Sequence, residues 1–186
     1  MAMRMTICTL LATAMTLAVP IASAETLTWR VAGDTREAIV YAPSAGSPAG
    51  RAPLVLSFHG RGDDMENFQH VRLHDAWPGA IVVYVQGLPN GEGLRGWQVE
   101  KGQDNDRDLK LVDAMLASLR DRFKVDDSRI YATGFSNGAG FTYLLWAERP
   151  AVFAAYAPVA GRMRASVQLK QPRPLFHVAG LRDPQI

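Results

Sequence analysis

The segment Ser128-Arg129-Ile130-Tyr131-Ala132-Thr133-Gly134-Phe135-Ser136-Asn137-Gly138 constrains this chain more than any other. Ser128 to Thr133 reads as a strand, and Gly138 to Glu148, closed by Pro150, reads as a helix. Between them Gly134-Phe135-Ser136-Asn137-Gly138 matches G-x-S-x-G. In that setting the motif describes a strand-to-helix turn so tight that the serine backbone is strained and its hydroxyl stands exposed. Glycine on both flanks removes the Cβ atoms that would collide in the turn. The helix starts directly behind the serine, so its first N–H groups face any anion formed there. Ala139 and Gly140 let that helix pack close to a sheet. The expectation is a serine nucleophile, Ser136, at the end of a buried strand.

The remaining pattern agrees with such a sheet. Leu27 to Val31 and Glu37 to Tyr41 read as two early strands joined at Gly33-Asp34, and suggest an antiparallel edge. Ala42 to Ala52 is rich in Pro, Ser and Gly and reads as a surface loop. Pro53 to Phe58 and Ala80 to Gln86 are short apolar runs that fit buried parallel strands. Asp63 to Trp77, ending at Pro78, is expected to be a helix, and Gly87 to Gly96 a glycine-rich loop. Asp108 to Phe123 is the clearest helix, with Leu109, Val112, Leu116, Leu119 and Phe123 on one face. Asp104, Asp106 and Asp108 at its start suit an N-cap and the helix dipole. Ala154 to Val159 and Leu175 to Ala179 complete the strands. Strands alternating with helices imply a mainly parallel sheet covered on both faces.

An acyl transfer passing through a tetrahedral intermediate needs N–H donors aimed at the developing oxyanion. One is expected from Asn137, the residue after the nucleophile. The other is expected from His59-Gly60-Arg61-Gly62, the loop after Pro53–Phe58, through the backbone N–H of Arg61, with Gly60 as the alternative. The His59 side chain is read as a brace for that loop. Arg61-Gly62-Asp63 spells an adhesion tripeptide, here a chance match inside an oxyanion loop. Asp183, in Gly180-Leu181-Arg182-Asp183-Pro184 after the last strand, stands where a triad acid belongs in the order Ser, Asp, His. No histidine follows it: His59, His70, His74 and His177 all come before. His177 is read as a satisfied sheet residue and not as a base. Trp97 has two open roles, lining the pocket with the Gly87–Gly96 loop or simple packing.

Other chemistries find little support. His70 and His74 are an i, i+4 pair without the glutamate of a zinc-protease motif, so no metal is expected. Asp104-Asn105-Asp106-Arg107-Asp108 lacks the glycine and the twelfth-position glutamate of a calcium loop, where Leu109 and Met115 stand instead. No phosphate loop or dinucleotide fingerprint is present, so no cofactor is implied. A formal charge of +2 spread over 186 residues gives no footprint for nucleic acid. No partner protein is evident.

Residues 1–24 have the layout of a secretory signal: Arg4, an apolar run from Thr6 to Ile21, Pro20, and Ala22-Ser23-Ala24 as the cleavage pattern. An uncleaved anchor is the alternative, weakened by its threonines and late proline. Cleavage after Ala24 leaves one domain, Glu25 to Ile186, of 162 residues. It removes Arg4 and Cys8, so the formal charge falls to +1 and no disulfide can form. The expected location is secreted or periplasmic, with no membrane span after cleavage.

With these pieces placed, the chain resembles the secreted polyhydroxybutyrate depolymerase-like esterases, a group that includes feruloyl and acetylxylan esterases. The resemblance runs from about Ala38 onward. It rests on Val55-Leu56-Ser57-Phe58-His59-Gly60, Ile130 to Gly138, Ala157-Pro158-Val159-Ala160-Gly161 and Gly180 to Pro184. It implies an α/β-hydrolase fold and export. It also implies cleavage of an ester substrate, small or polymeric, without a cofactor, with Ser136 as nucleophile and Asp183 as acid. Members continue through further structure that delivers the catalytic histidine, so the resemblance implies a chain short at its C-terminus and catalytically weak. Two rivals stay open: a non-catalytic binding protein on a hydrolase scaffold, and a serine peptidase of prolyl-oligopeptidase type.

Overall fold

A computed structural model of the chain describes residues 24–43 and 50–184. The signal reading falls, apart from Ala24, outside the described residues, as does most of the Ala42–Ala52 loop.

Among the described residues, eight strands and four α-helices follow in the order expected of alternating β and α segments. β1 (Ala24–Val31) and β2 (Asp34–Tyr41) form a hairpin around Ala32-Gly33, both at positive φ. β3 (Ala52–Phe58) is buried along its whole length, as a central strand covered on both faces must be. Three short helical pieces follow: α1 (Met65–Phe68), a 3-10 turn (Gln69–Val71) and α2 (Leu73–Ala76). Then come β4 (Ile81–Val85), the two-residue strands β5 (Leu88–Pro89) and β6 (Arg95–Gly96), and α3 (Arg107–Arg122). β7 (Val125–Phe135), α4 (Asn137–Glu148) and β8 (Ala155–Val159) complete the core. The main sheet has six strands in the order β1-β2-β4-β3-β7-β8. β3, β4, β7 and β8 pair in parallel, while β2 meets both β1 and β4 antiparallel, giving the expected antiparallel edge.

Side-chain alternation assigns the two layers. Leu54, Leu56 and Phe58 of β3 face α3 and α4 with Val83, Val85, Ile130 and Ala132. Val55, Val82 and Tyr84 face the other way, toward Met65, Phe68 and Leu73. α3 buries Leu109, Val112, Leu116 and Leu119 of the stripe read from its periodicity, together with Leu111 and Met115, whereas α4 is buried from Gly138 to Ala147 on all sides. An ion pair between Arg122 and Glu25 fastens the end of α3 to β1.

Three local expectations are corrected. Asp63–Trp77 is not one helix: Arg72 takes a left-handed φ of 56° and divides it. Its apolar side chains are too sparse to hold a continuous helix on the sheet. Asp108 does not cap α3 but lies buried inside its first turn. Its Oδ1 accepts from Arg36 at 2.8 Å, and its Oδ2 accepts the Gln98 N–H at 2.8 Å. Asp106, the capping residue, makes no side-chain cap bond and instead accepts from Gln98 Nε2 and the Gly102 N–H. Leu175–Ala179 runs parallel to β8, but only isolated bridges at Leu175 and Val178 form. It therefore lies along the sheet edge without becoming a regular strand.

Candidate active site

At the end of β7 the chain turns into α4 through Ser136, whose φ of 53° and ψ of −110° lie outside the regular helical and strand regions. A non-glycine residue held there stores roughly 1–3 kcal/mol, repaid by surrounding contacts. The Ser136 N–H donates to the Val159 carbonyl at 2.9 Å, and the Ser136 carbonyl accepts from Ala139 and Gly140. The flanking glycines are sterically obligatory. A Cβ on Gly134 would sit 2.3 Å from the Gly138 carbonyl oxygen, and one on Gly138 would sit 2.2 Å from that of Phe58. Gly161, after β8, is equally tight, with a hypothetical Cβ 2.5 Å from both Ser136 O and Ala139 Cβ. The loops after β3, β7 and β8 thus converge on one serine.

The β3 loop is braced by His59, which is completely buried. Its Nδ1 lies 2.7 Å from the Gly60 carbonyl, and its Nε2 accepts the Gly87 N–H at 2.9 Å. These partners fix the tautomer: the proton sits on Nδ1. Burial pulls the imidazole pKa down, partly offset by the Gly60 carbonyl, so the ring is neutral. The loop runs close to Ser136, since a Cβ on Gly60 would lie 3.7 Å from Ser136 Cβ. Gly62 N–H donates to the Arg95 carbonyl at 2.7 Å, tying this loop to the β5–β6 hairpin. Trp97, buried against Phe58 and Phe141, donates its indole N–H to the His59 carbonyl at 2.9 Å. That settles the packing role of Trp97 over a pocket-lining one.

Asn137 completes the assembly from the helix side. Its Oδ1 accepts the Trp97 backbone N–H at 2.8 Å, and its Nδ2 donates to the Trp97 carbonyl at 3.1 Å. Its own backbone N–H opens α4 and has no intrahelical acceptor. Ser136, Asn137 and Arg61 line one cleft of about 200 Å³, with Gly140, Gly161, Arg162 and Arg164.

Residues 36–167 match the family model described as esterase PHB depolymerase. The chain belongs to this family. A bifunctional acetylxylan esterase/xylanase of Neocallimastix patriciarum is 33% identical over 161 residues, 83% of this chain and 22% of that protein. Feruloyl esterase C of Emericella nidulans is 28% identical over 155 residues, covering 80% of this chain and 55% of its own. The chain thus spans about a fifth and about half of the length of these two relatives. A solved thermostable esterase superposes with a TM-score of 0.59 at 25% identity, covering 77% of this chain and 42% of that one. A Bacillus cereus carboxylesterase does so at 0.60 and 19% identity, over 87% and 72%, a likeness of fold alone. The fold is that of the α/β-hydrolase esterases.

Within this PHB depolymerase-family fold, Ser136, Asn137 and Arg61 come together, and Asp183 does not line the same cleft. Asp183 stands half-buried in the turn after Val178, its N–H donating to the Gly180 carbonyl at 3.1 Å. Among the described residues no histidine lines the cleft either. His177 is exposed and bonded through Nδ1 to the Tyr143 hydroxyl at 2.8 Å. His74 stacks on Tyr41 at 3.6 Å, while His70 is exposed on the preceding 3-10 turn. No group of three or more His, Cys, Asp or Glu could hold a metal among the described residues. Likewise, no described helix is long and apolar enough to cross a membrane. Sequence reading missed the Asn137 amide clasp and the clamp at Gly161. Ala157-Pro158-Val159-Ala160-Gly161 forms a recognisable block, but nothing in the local sequence marks Trp97 as the partner of Asn137.

Proposed function

We propose that the cleft is the active site of a serine carboxylic ester hydrolase. The observation that carries this reading is the strained Ser136 turn, with the Gly60 loop packed beside it and the α4 N-terminus behind it. In the proposed reaction Ser136 Oγ adds to the ester carbonyl, losing its proton to a base and giving a tetrahedral oxyanion. The Asn137 and Arg61 N–H groups hold that oxyanion. Collapse expels the alcohol and leaves an acyl-serine, which water then cleaves. Asp183, on the loop beyond the segment bridged to β8, is proposed to orient the histidine that serves as base. His59 is excluded from that role, because both its ring nitrogens are bonded inside the fold. Polyester and plant cell-wall acyl esters are the proposed substrate classes, by analogy with the relatives. Export is proposed from the sequence of residues 1–24.

The test is covalent labelling. A fluorophosphonate probe forms a P–O bond to Ser136 Oγ with loss of fluoride, and peptide mapping should find the adduct there and not in Ser136→Ala. Labelling is expected to be slow, since no described histidine lines the cleft. That same observation favours one rival, a cleft that binds esters without cleaving them. A folded chain whose Ser136 stays unlabelled selects the rival and ends the hydrolase reading.

A further inference from the structure

The cleft at Ser136 has a one-sided charge. Three arginines line it, Arg61, Arg162 and Arg164, and no carboxylate does. Arg61 is neutralised by its ion pair with Glu92. Most of the described arginines are similarly occupied, for example Arg120 with Asp127 and Arg149 with Asp113. Arg162 and Arg164 are exposed, and no described carboxylate pairs with either.

Their position is held by the fold and not by a free loop. Gly161 is clamped between Ser136 and Ala139, so Arg162 must emerge beside the nucleophile. Ala160 N–H donates to the Val178 carbonyl at 2.7 Å on one side, and Val167 N–H donates to the Arg164 carbonyl at 3.0 Å on the other. Val167 itself is buried in the core, which anchors the far end of the loop. The α4 N-terminus adds a partial positive charge from behind. An unpaired guanidinium is a planar donor array shaped for a carboxylate.

We infer that the cleft selects esters carrying a carboxylate near the scissile bond, with Arg162 and Arg164 as the groups that bind it. This rests on the reading of the cleft as an ester site, and it supplies the substrate class that the serine turn leaves open. A neutral ester of equal size would meet the same nucleophile and N–H donors but would leave both guanidinium groups to water.

The experiment uses the full chain carrying Ser136→Ala, so that binding is read without turnover. Calorimetric titration compares 4-acetoxyphenylacetate with its uncharged methyl ester. The anion should bind on the order of tenfold more tightly, as two charge-assisted contacts partly exposed to water allow. The preference should shrink in about 0.5 M NaCl, where charges beyond a few ångströms are screened. It should vanish in Arg162→Gln/Arg164→Gln and persist in Arg182→Gln, an exposed arginine that does not line the cleft. Equal affinities, a preference that survives the double substitution, or failure to bind either ester each overturns the inference. If the anion is preferred while fluorophosphonate leaves Ser136 unlabelled in the unsubstituted chain, the carboxylate site stands and the hydrolase reading falls. Labelling of Ser136 with no preference for the anion does the reverse.

Discussion

At His59 the backbone of two loops closes around one ring. Nδ1 faces the Gly60 carbonyl and Nε2 accepts the Gly87 N–H, so a second proton on Nε2 would break the latter bond. Burial adds to this by pulling the pKa below its ordinary 6.5. The unfolded chain takes up a proton near 6.5, and the folded chain refuses it until lower pH. Stability from this site is therefore complete above 6.5, is lost as pH falls from there toward the depressed folded value, and levels off below it. His74, also depressed by burial, acts in the same direction. Urea midpoints measured between about pH 5 and 7.5 should fall on acidification, and His59→Gln should flatten the slope. An unchanged slope in that variant would move the effect elsewhere.

At the scale of elements, α4 and β7 are positioned by what their glycines omit. Gly138 is the second residue of α4, where alanine is intrinsically better by about 1 kcal/mol. Here a Cβ would meet the carbonyl oxygens of Phe58 and His59 at 2.2 and 2.7 Å. Gly138→Ala is expected to destabilise by about 1–3 kcal/mol, the cost of overpacking, and to slow fluorophosphonate labelling by displacing the Gly60 loop. A thermal melt equal to or above that of the unsubstituted chain would show that the contact relaxes freely.

These elements also show what the sequence makes legible. The Ser136 turn, α3 and the buried strands were readable because each rests on a local pattern: glycine spacing, a helical apolar stripe or an uninterrupted apolar run. The Arg72 break was not, because the next N–H, that of Leu73, is taken by the Tyr84 hydroxyl, a partner that only the fold supplies. Asp108 was misread as a cap because its partner, Arg36, lies 72 positions away in sequence and meets it only through the fold. The tight turn at Ser136 was legible as a motif, and so was the meeting of Ser136, Asn137 and Arg61 in one cleft. The Asn137 clasp on Trp97, spanning 40 positions, was not, because nothing local marks which backbone an amide will pair with.

For the whole molecule, the sheet order sets the Gly60 loop and the Ser136 turn at the ends of neighbouring strands. β3 stands between β4 and β7, so the loop it delivers is braced from both sides. The arrangement also sets an order of assembly. α3 closes its hydrogen bonds within four residues, whereas Leu54 must find Ile130, roughly 75 residues away, before β3 has its second neighbour. Until that seam closes, neither the Gly60 loop nor the Ser136 turn has anything to lean on. In pulsed hydrogen exchange during refolding, α3 amides should gain protection first, and those of β3 and β7 later and together. Protection of β3 and β7 at the earliest times would reverse that order. On that order the strain at Ser136 is imposed last, by a framework already complete, and a nascent chain would carry Ser136 relaxed until the final pairing is made.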